Sequence, residues 1–182
     1  MHPIRASARH SRAIHATSEL LTKLRIDFVF LGSVSSSAWI GSAGAEGAID
    51  VLALMNAPQK NQVAMMASNR GFRVDRDELL QTDELDLIPL HFTDVEGEVR
   101  VHVLLASNAL YGRMLSACVE AAIDDRVVHV PRAEDLALLF LLSDDRAGLS
   151  RLTALSEFDQ AGFDERLQSV GLASMSEGAQ SR

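Results

Sequence analysis

Apolar positions along the chain fall into two repeating patterns. Ile14, Leu20, Leu21 and Leu24 recur at helical spacing, which predicts an amphipathic helix over residues 10–24. IDFVFLG (26–32) is a short apolar run ending in glycine, and predicts a buried strand. SVSSSAWI (33–40) then reads as a short helix, with Ser33 as its N-cap and small side chains that permit close packing on a sheet. GSAGAEG (41–47) is a flexible connector, and AIDVLALM (48–55) a second strand, alternating so weakly that both its faces are expected to be covered. Pro58 opens a helix to about Asn69, with Gly71 as its stop.

Downstream the period shortens. FRVDR (72–76) predicts a short strand, and DELLQTDELD (77–86) an acidic loop or irregular helix. LIPLHFTD (87–94) and EVRVHVLLA (98–106) flank Glu-Gly and read as a hairpin, the second strand alternating Val99, Val101 and Val103 against Arg100, His102 and Leu104. NALYGRMLSACV (108–119) is expected to be helical, RVVHVP (126–131) a short strand closed by proline, and AEDLALLFLLSDD (133–145) a strongly apolar helix with acids in its first turn. Helices near 147–156 and 163–172 follow, and the last residues, 174–182, read as a disordered tail. The pattern predicts an α/β fold, a mixed β-sheet flanked by helices with a helical C-terminal segment, in a single domain over 1–173.

Composition narrows the function classes. The 182 residues allow one domain with a sizeable core. A formal charge of -8, from 17 basic and 25 acidic residues, argues against broad nucleic-acid binding, and no Lys/Arg run overrides it. Cys118 is the one cysteine, so no internal disulfide or multi-cysteine metal site can form, and a reducing, cytoplasmic compartment is the natural expectation. No apolar run reaches the ~20 residues of a membrane span. Arg and His in the first residues give the N-terminus a faint transit-peptide character, but no signal-peptide core, and its periodicity favours a helix.

One constellation carries chemistry. A strand ending in Gly32-Ser33, a helix, a loop, a strand bearing Asp50, a VRVHV strand, and a valine-rich strand, proline and Glu-Asp-Leu helix succeed one another. This order resembles the nucleotidyltransferase fold over about residues 12–172, and within it the small bacterial, abortive-infection-toxin-like group. The resemblance implies a Gly-Ser turn against a nucleoside triphosphate, an Asp-x-Asp pair on the next strand, and a third carboxylate on an adjacent strand. Such carboxylates hold the divalent cations, usually Mg²⁺, that activate the attacking oxygen and neutralise the departing pyrophosphate.

Laid on that frame, Gly32 and Ser33 take the nucleotide-binding positions and Asp50 the second aspartate. The first aspartate falls on Ala48 and the third carboxylate on His102. Glu134, Asp135 and Leu136 match the helix motif, but its lysine falls on Phe140, and RAGLSRL (146–152) stands where a further acid is expected. Residual metal ligands are therefore Asp50, with Glu46 from the connector or His102 as substitutes. Gly32-Ser33 reads equally as a plain strand-to-helix turn, the 41–47 glycines lack the lysine of a P-loop, and Ser35, Ser36 and Ser37 have no triad partners.

Three functions stay open. The first is a protein that has lost catalysis and engages a protein partner or subunit, a second copy of itself included, with no cofactor. The second is an active, Mg²⁺- and NTP-dependent nucleotidyltransferase acting on a protein, RNA or small molecule. The third is a nucleotide-binding sensor without chemistry. The leading expectation is the first. If the fold assignment holds, strand 48–55 must lie beside strand 98–105 in one sheet.

Overall fold

A computed structural model describes residues 1–41, 47–81 and 86–172. Glu46, Asp83, Glu84 and the 174–182 tail lie outside them. The chain divides at Val130–Pro131 into two compact units, at the junction where the sequence pattern changes from strands to the C-terminal helices.

In the first unit the elements run α1 (Ala8–Lys23), β1 (Asp27–Phe30), α2 (Gly32–Ile40), β2 (Ile49–Leu54), α3 (Ala57–Ala67), a 3-10 turn (Ser68–Arg70) and β3 (Phe72–Arg73). There follow α4 (Arg76–Gln81), β4 (Leu87–Asp94), β5 (Gly97–Leu105), α5 (Ala109–Ser116), β6 (Val119–Ile123) and β7 (Arg126–Val130). Five strands form a mixed sheet in the order β1-β2-β5-β4-β3. Only the β2–β5 pair is parallel in it; the others are antiparallel. This is the α/β architecture expected from the pattern, and the pairing of residues 48–55 with 98–105 is present.

Local chemistry explains most boundaries. Ser7 caps α1 by accepting from the His10 N–H, and Asn56 and Gln59 form a reciprocal capping box at α3, with Pro58 in its first turn. Gly71 ends the turn after α3 in the left-handed region at φ 82°. Two expectations fail. Ser33 is not the N-cap of α2, which begins one residue earlier at Gly32, with Leu31 as cap and no side-chain bond there. The helix expected over 108–119 stops at Ser116, and Val119–Ile123 instead forms a hairpin with β7. The missed signal is Asp124-Asp125: Asp124 adopts φ 52°, a turn conformation that Asp tolerates better than most residues.

The core lies on one face of the sheet. Ile14, Leu20 and Leu21 of α1 and Val63 of α3 join Val51, Val101, Val103, Ile88 and Leu90 of the strands in one buried cluster. The valines of β5 supply its inward positions, as their alternation predicts. On the opposite face α5 packs on β1 and β2, where Val29 and Leu52 pair across strands and are fully buried, as is Met114 of α5.

The second unit contains α6 (Ala133–Leu142), α7 (Arg146–Thr153) and α8 (Gln160–Ser169). Asp145 and Asp159 cap the last two by accepting from Gly148 and Gly162. The two acids of the Glu-Asp-Leu motif are buried. Arg166 of α8 donates to Asp135 Oδ1 at 2.7 Å and lies 3.8 Å from Glu134. These acids therefore join α6 to α8. None of the described helices is long and apolar enough to cross a membrane.

Truncating the fully buried Phe30 to alanine should cost about 3–5 kcal/mol in denaturant unfolding, against less than about 0.5 for Met65→Ala at an exposed site. Arg166→Ala, which removes the cation from a buried carboxylate, should also cost about 3–5 kcal/mol. A loss below about 1 kcal/mol would show that Asp135 is held by other contacts.

Candidate functional site

Parallel pairing sets the site. Asp50 of β2 stands directly across from His102 of β5 in the register. Both project from the face opposite the main core, with side chains 37 % and 33 % exposed. His102 Nδ1 lies 3.0 Å from Asp50 Oδ1. A carboxylate oxygen there can only accept, so Nδ1 carries the proton. That bond holds the His102 pKa above its ordinary value of 6.5, against a smaller opposing effect of burial.

Gly32 completes the cluster. It opens α2 at φ +56°, and a Cβ placed on it would stand 2.8 Å from Asp50 Oδ2. Both the left-handed backbone and the close carboxylate require glycine. Leu31 N–H donates to the Asp50 carbonyl at 2.8 Å, fixing the strand end against the turn. Asp50 is thus held between a histidine and the first residue of a helix, whose positive end favours an anion.

The serines divide into two kinds. Ser35 and Ser36 donate to the carbonyls of Phe30 and Gly32, and Ser37 accepts from the Arg5 N–H. Their hydroxyls are occupied by the backbone, which accounts for serine at those positions without catalysis. The Ser33 hydroxyl is buried and has no hydrogen-bond partner among the described residues.

The polar face continues along β5. Ala48, at the position of the first expected aspartate, borders a cleft of about 270 Å³ shared with Arg9, Arg100 and Glu98. Two cations, with one acid, therefore lie where an Asp-x-Asp pair would extend its negative charge. Glu98 is itself engaged: His91 Nδ1 lies 3.0 Å from it, while His91 Nε2 lies 2.6 Å from Glu78 of α4. The bond from His91, then that from Arg73, lowers the Glu98 carboxyl pKa. This buried histidine between two acids is absent from the sequence reading. Its only linear signal is His91 standing in a strand whose neighbours, Leu90 and Phe92, are apolar.

Magnesium needs several hard oxygen ligands. Here one carboxylate, Asp50, is bonded to an imidazole, Ala48 offers no donor, and Arg9 and Arg100 lie beside it. The described donors do not fit that ion, and no group of three His, Cys, Asp or Glu among them could hold a metal. Of the residues singled out in the sequence, Gly32, Asp50 and His102 come together, Ser33 follows at the start of α2, and Glu46 lies outside the described residues.

His102 gives a direct test. Its NMR titration midpoint should lie above 6.5 and fall in Asp50→Asn. Because the folded pKa is raised, the stabilisation by this pair is full below about pH 6.5 and is lost as pH rises through the folded pKa. The stability gap between wild type and Asp50→Asn should therefore narrow on going from about pH 6 to about pH 9. A midpoint at or below 6.5 would mean that the bond is not formed in solution.

No protein-family model matches the chain, and no curated protein matches it by sequence. Solved structures do. The lincosamide antibiotic adenylyltransferase LnuA, lincomycin-bound, aligns with a TM-score of 0.53 at 12 % identity, covering 84 % of this chain and 99 % of that one. An antigenic nucleotidyltransferase-like protein from Paracoccidioides brasiliensis aligns at 0.49 and 12 % identity, covering 81 % and 77 %. With the mixed sheet and the Gly32–Asp50–His102 arrangement already in place, the likeness to LnuA establishes that this chain has a nucleotidyltransferase fold.

Proposed function

We propose that the protein is a nucleotidyltransferase-fold module with a degenerate active site, which acts by binding a protein partner in the cytoplasm. The observation that carries this reading is the Asp50–His102 hydrogen bond, 3.0 Å long, at the positions of two expected metal ligands. Two-metal chemistry works by placing cations between carboxylates and phosphate oxygens. In this chain a histidine takes the place of one carboxylate and alanine that of another. The remaining aspartate has its charge partner within the protein. The motifs in the sequence that resemble the small abortive-infection-toxin-like group fit a fold whose scaffold outlasts its chemistry.

Ser33 favours a second reading. A buried hydroxyl without a partner is costly, of order 1–3 kcal/mol, and a ligand oxygen at the start of α2 would satisfy it. On that reading the module senses a nucleotide without transforming it.

Calorimetric titration with ATP and GTP, each with and without Mg²⁺ or Mn²⁺, separates the alternatives. The partner-binding module should show no nucleotide binding, and the sensor metal-independent binding weakened by Ser33→Ala. Metal-dependent transfer of a nucleotide, lost in Asp50→Ala, would overturn both and establish an active enzyme. Restoring the missing acids with Ala48→Asp and His102→Asp together should create Mn²⁺ binding that the wild type lacks, measurable by paramagnetic relaxation.

A further inference from the structure

At the end of β1 opposite Gly32, two adjoining hollows share Ser18, Thr22 and Val127 as a common wall. The first encloses about 430 Å³ over an apolar floor of Ile26, Phe28, Leu115 and Val128, with Cys118 at its side. The second, about 450 Å³, is lined by Lys23, Arg70 and Arg126 around Glu19. Hollows of this size suit small molecules.

Charge separates the two hollows. In the second, Arg70 donates to Glu19 Oε2 at 2.6 Å and Arg126 to Oε1 at 3.1 Å. Three cations against one carboxylate leave an excess of two positive charges, on a chain whose formal charge is -8. Asp124 and Asp125 stand exposed in the turn before Arg126 and do not line the hollow, and Asp124 accepts a hydrogen bond from Ser11. In the first hollow Arg25 and Asp27 carry opposite charges, with His129 beside them, over the apolar floor of Ile26, Phe28, Leu115 and Val128. Arg70 and Arg126 come from segments far apart in sequence, so the fold itself brings them to one carboxylate.

We propose that this trough binds a phosphomonoester with an apolar body. The ring or chain occupies the first hollow, and the phosphate the second, where it takes over the guanidinium donors now shared by Glu19. A phosphomonoester carries roughly -1.5 to -2 at neutral pH, which matches the excess charge, and its three oxygens can accept from both arginines and Lys23. A monocarboxylate would match half of that charge. Inorganic phosphate would leave the apolar floor unused. The site lies at the opposite end of β1 from the Asp50 cluster and does not depend on the function assigned to that cluster.

Cys118, the single cysteine of the chain, is a reporter inside the apolar hollow. Burial raises its thiol pKa, so its alkylation by iodoacetamide is slow and can be followed by mass spectrometry in mildly alkaline buffer. Phenyl phosphate is the probe, with inorganic phosphate and benzyl alcohol as the two half-ligands. At a concentration about five times a millimolar Kd, phenyl phosphate should slow alkylation about sixfold, and each half-ligand less than about twofold. The Arg70→Ala/Arg126→Ala double variant should lose the protection, and so, independently, should Val127→Asp in the common wall. Equal protection in the double variant, equal protection by benzyl alcohol, or none in the wild type would overturn the proposal.

Discussion

The parallel pairing of β2 with β5 is the constraint on which the site depends. Parallel neighbours cannot be joined by a tight hairpin, so the chain between them must travel. Here it makes α3, β3, α4 and β4 before returning as β5. The register of that return decides everything on the polar face. Because strand side chains alternate, a slip of one residue would send His102 toward the core and bring Val101 or Val103 opposite Asp50. The valines of β5 prevent the slip, since their burial on the core face fixes which residues point the other way. A hydrophobic pattern thereby positions a polar pair it never touches.

This is why much of the fold was legible in the sequence. The alternation of VRVHV, Pro58 at a helix start and Gly71 at its end are local signals, and each matches a feature of the structure. The failures are where local signals compete. Residues 117–123 carry Cys, Val, Ala and Ile with no helix breaker among them, and only the paired aspartates after them mark the hairpin. Ser33 has the chemistry of an N-cap, but a glycine with positive φ just before it opens the helix a residue sooner.

The adjacency of the candidate residues has a different origin. Gly32, Asp50 and His102 were aligned through a resemblance, and the structure brings them into contact. That His102 bonds to Asp50 instead of lying idle beside it follows from the cross-strand register, which no linear pattern contains. The Glu78–His91–Glu98 chain was missed for the same reason. Its members lie on three different elements, and single charged residues in a strand or an acidic segment look like solvated surface. In unit two the Glu-Asp-Leu motif illustrates the converse: a pair of acids that reads as part of an active-site signature is engaged by Arg166 within its own helical layer.

A carboxylate at position 50 therefore has a structural explanation that does not require catalysis. Remove the cations of a two-metal site, and clustered carboxylates repel one another at the mouth of a helix. One aspartate alone avoids that repulsion and gains from the helix terminus. A histidine across the strand gap adds a hydrogen bond and, when protonated, a balancing charge. Gly32 is then needed for the space occupied by Asp50 Oδ2 as well as for its backbone conformation. The three residues form a self-consistent unit: glycine admits the carboxylate, the carboxylate orients the imidazole, and the protonated imidazole supplies a positive charge beside it. On the proposed reading of a degenerate site, an acid introduced at position 48 or 102 alone would disturb that balance before it formed a metal site, so the two acids must be introduced together.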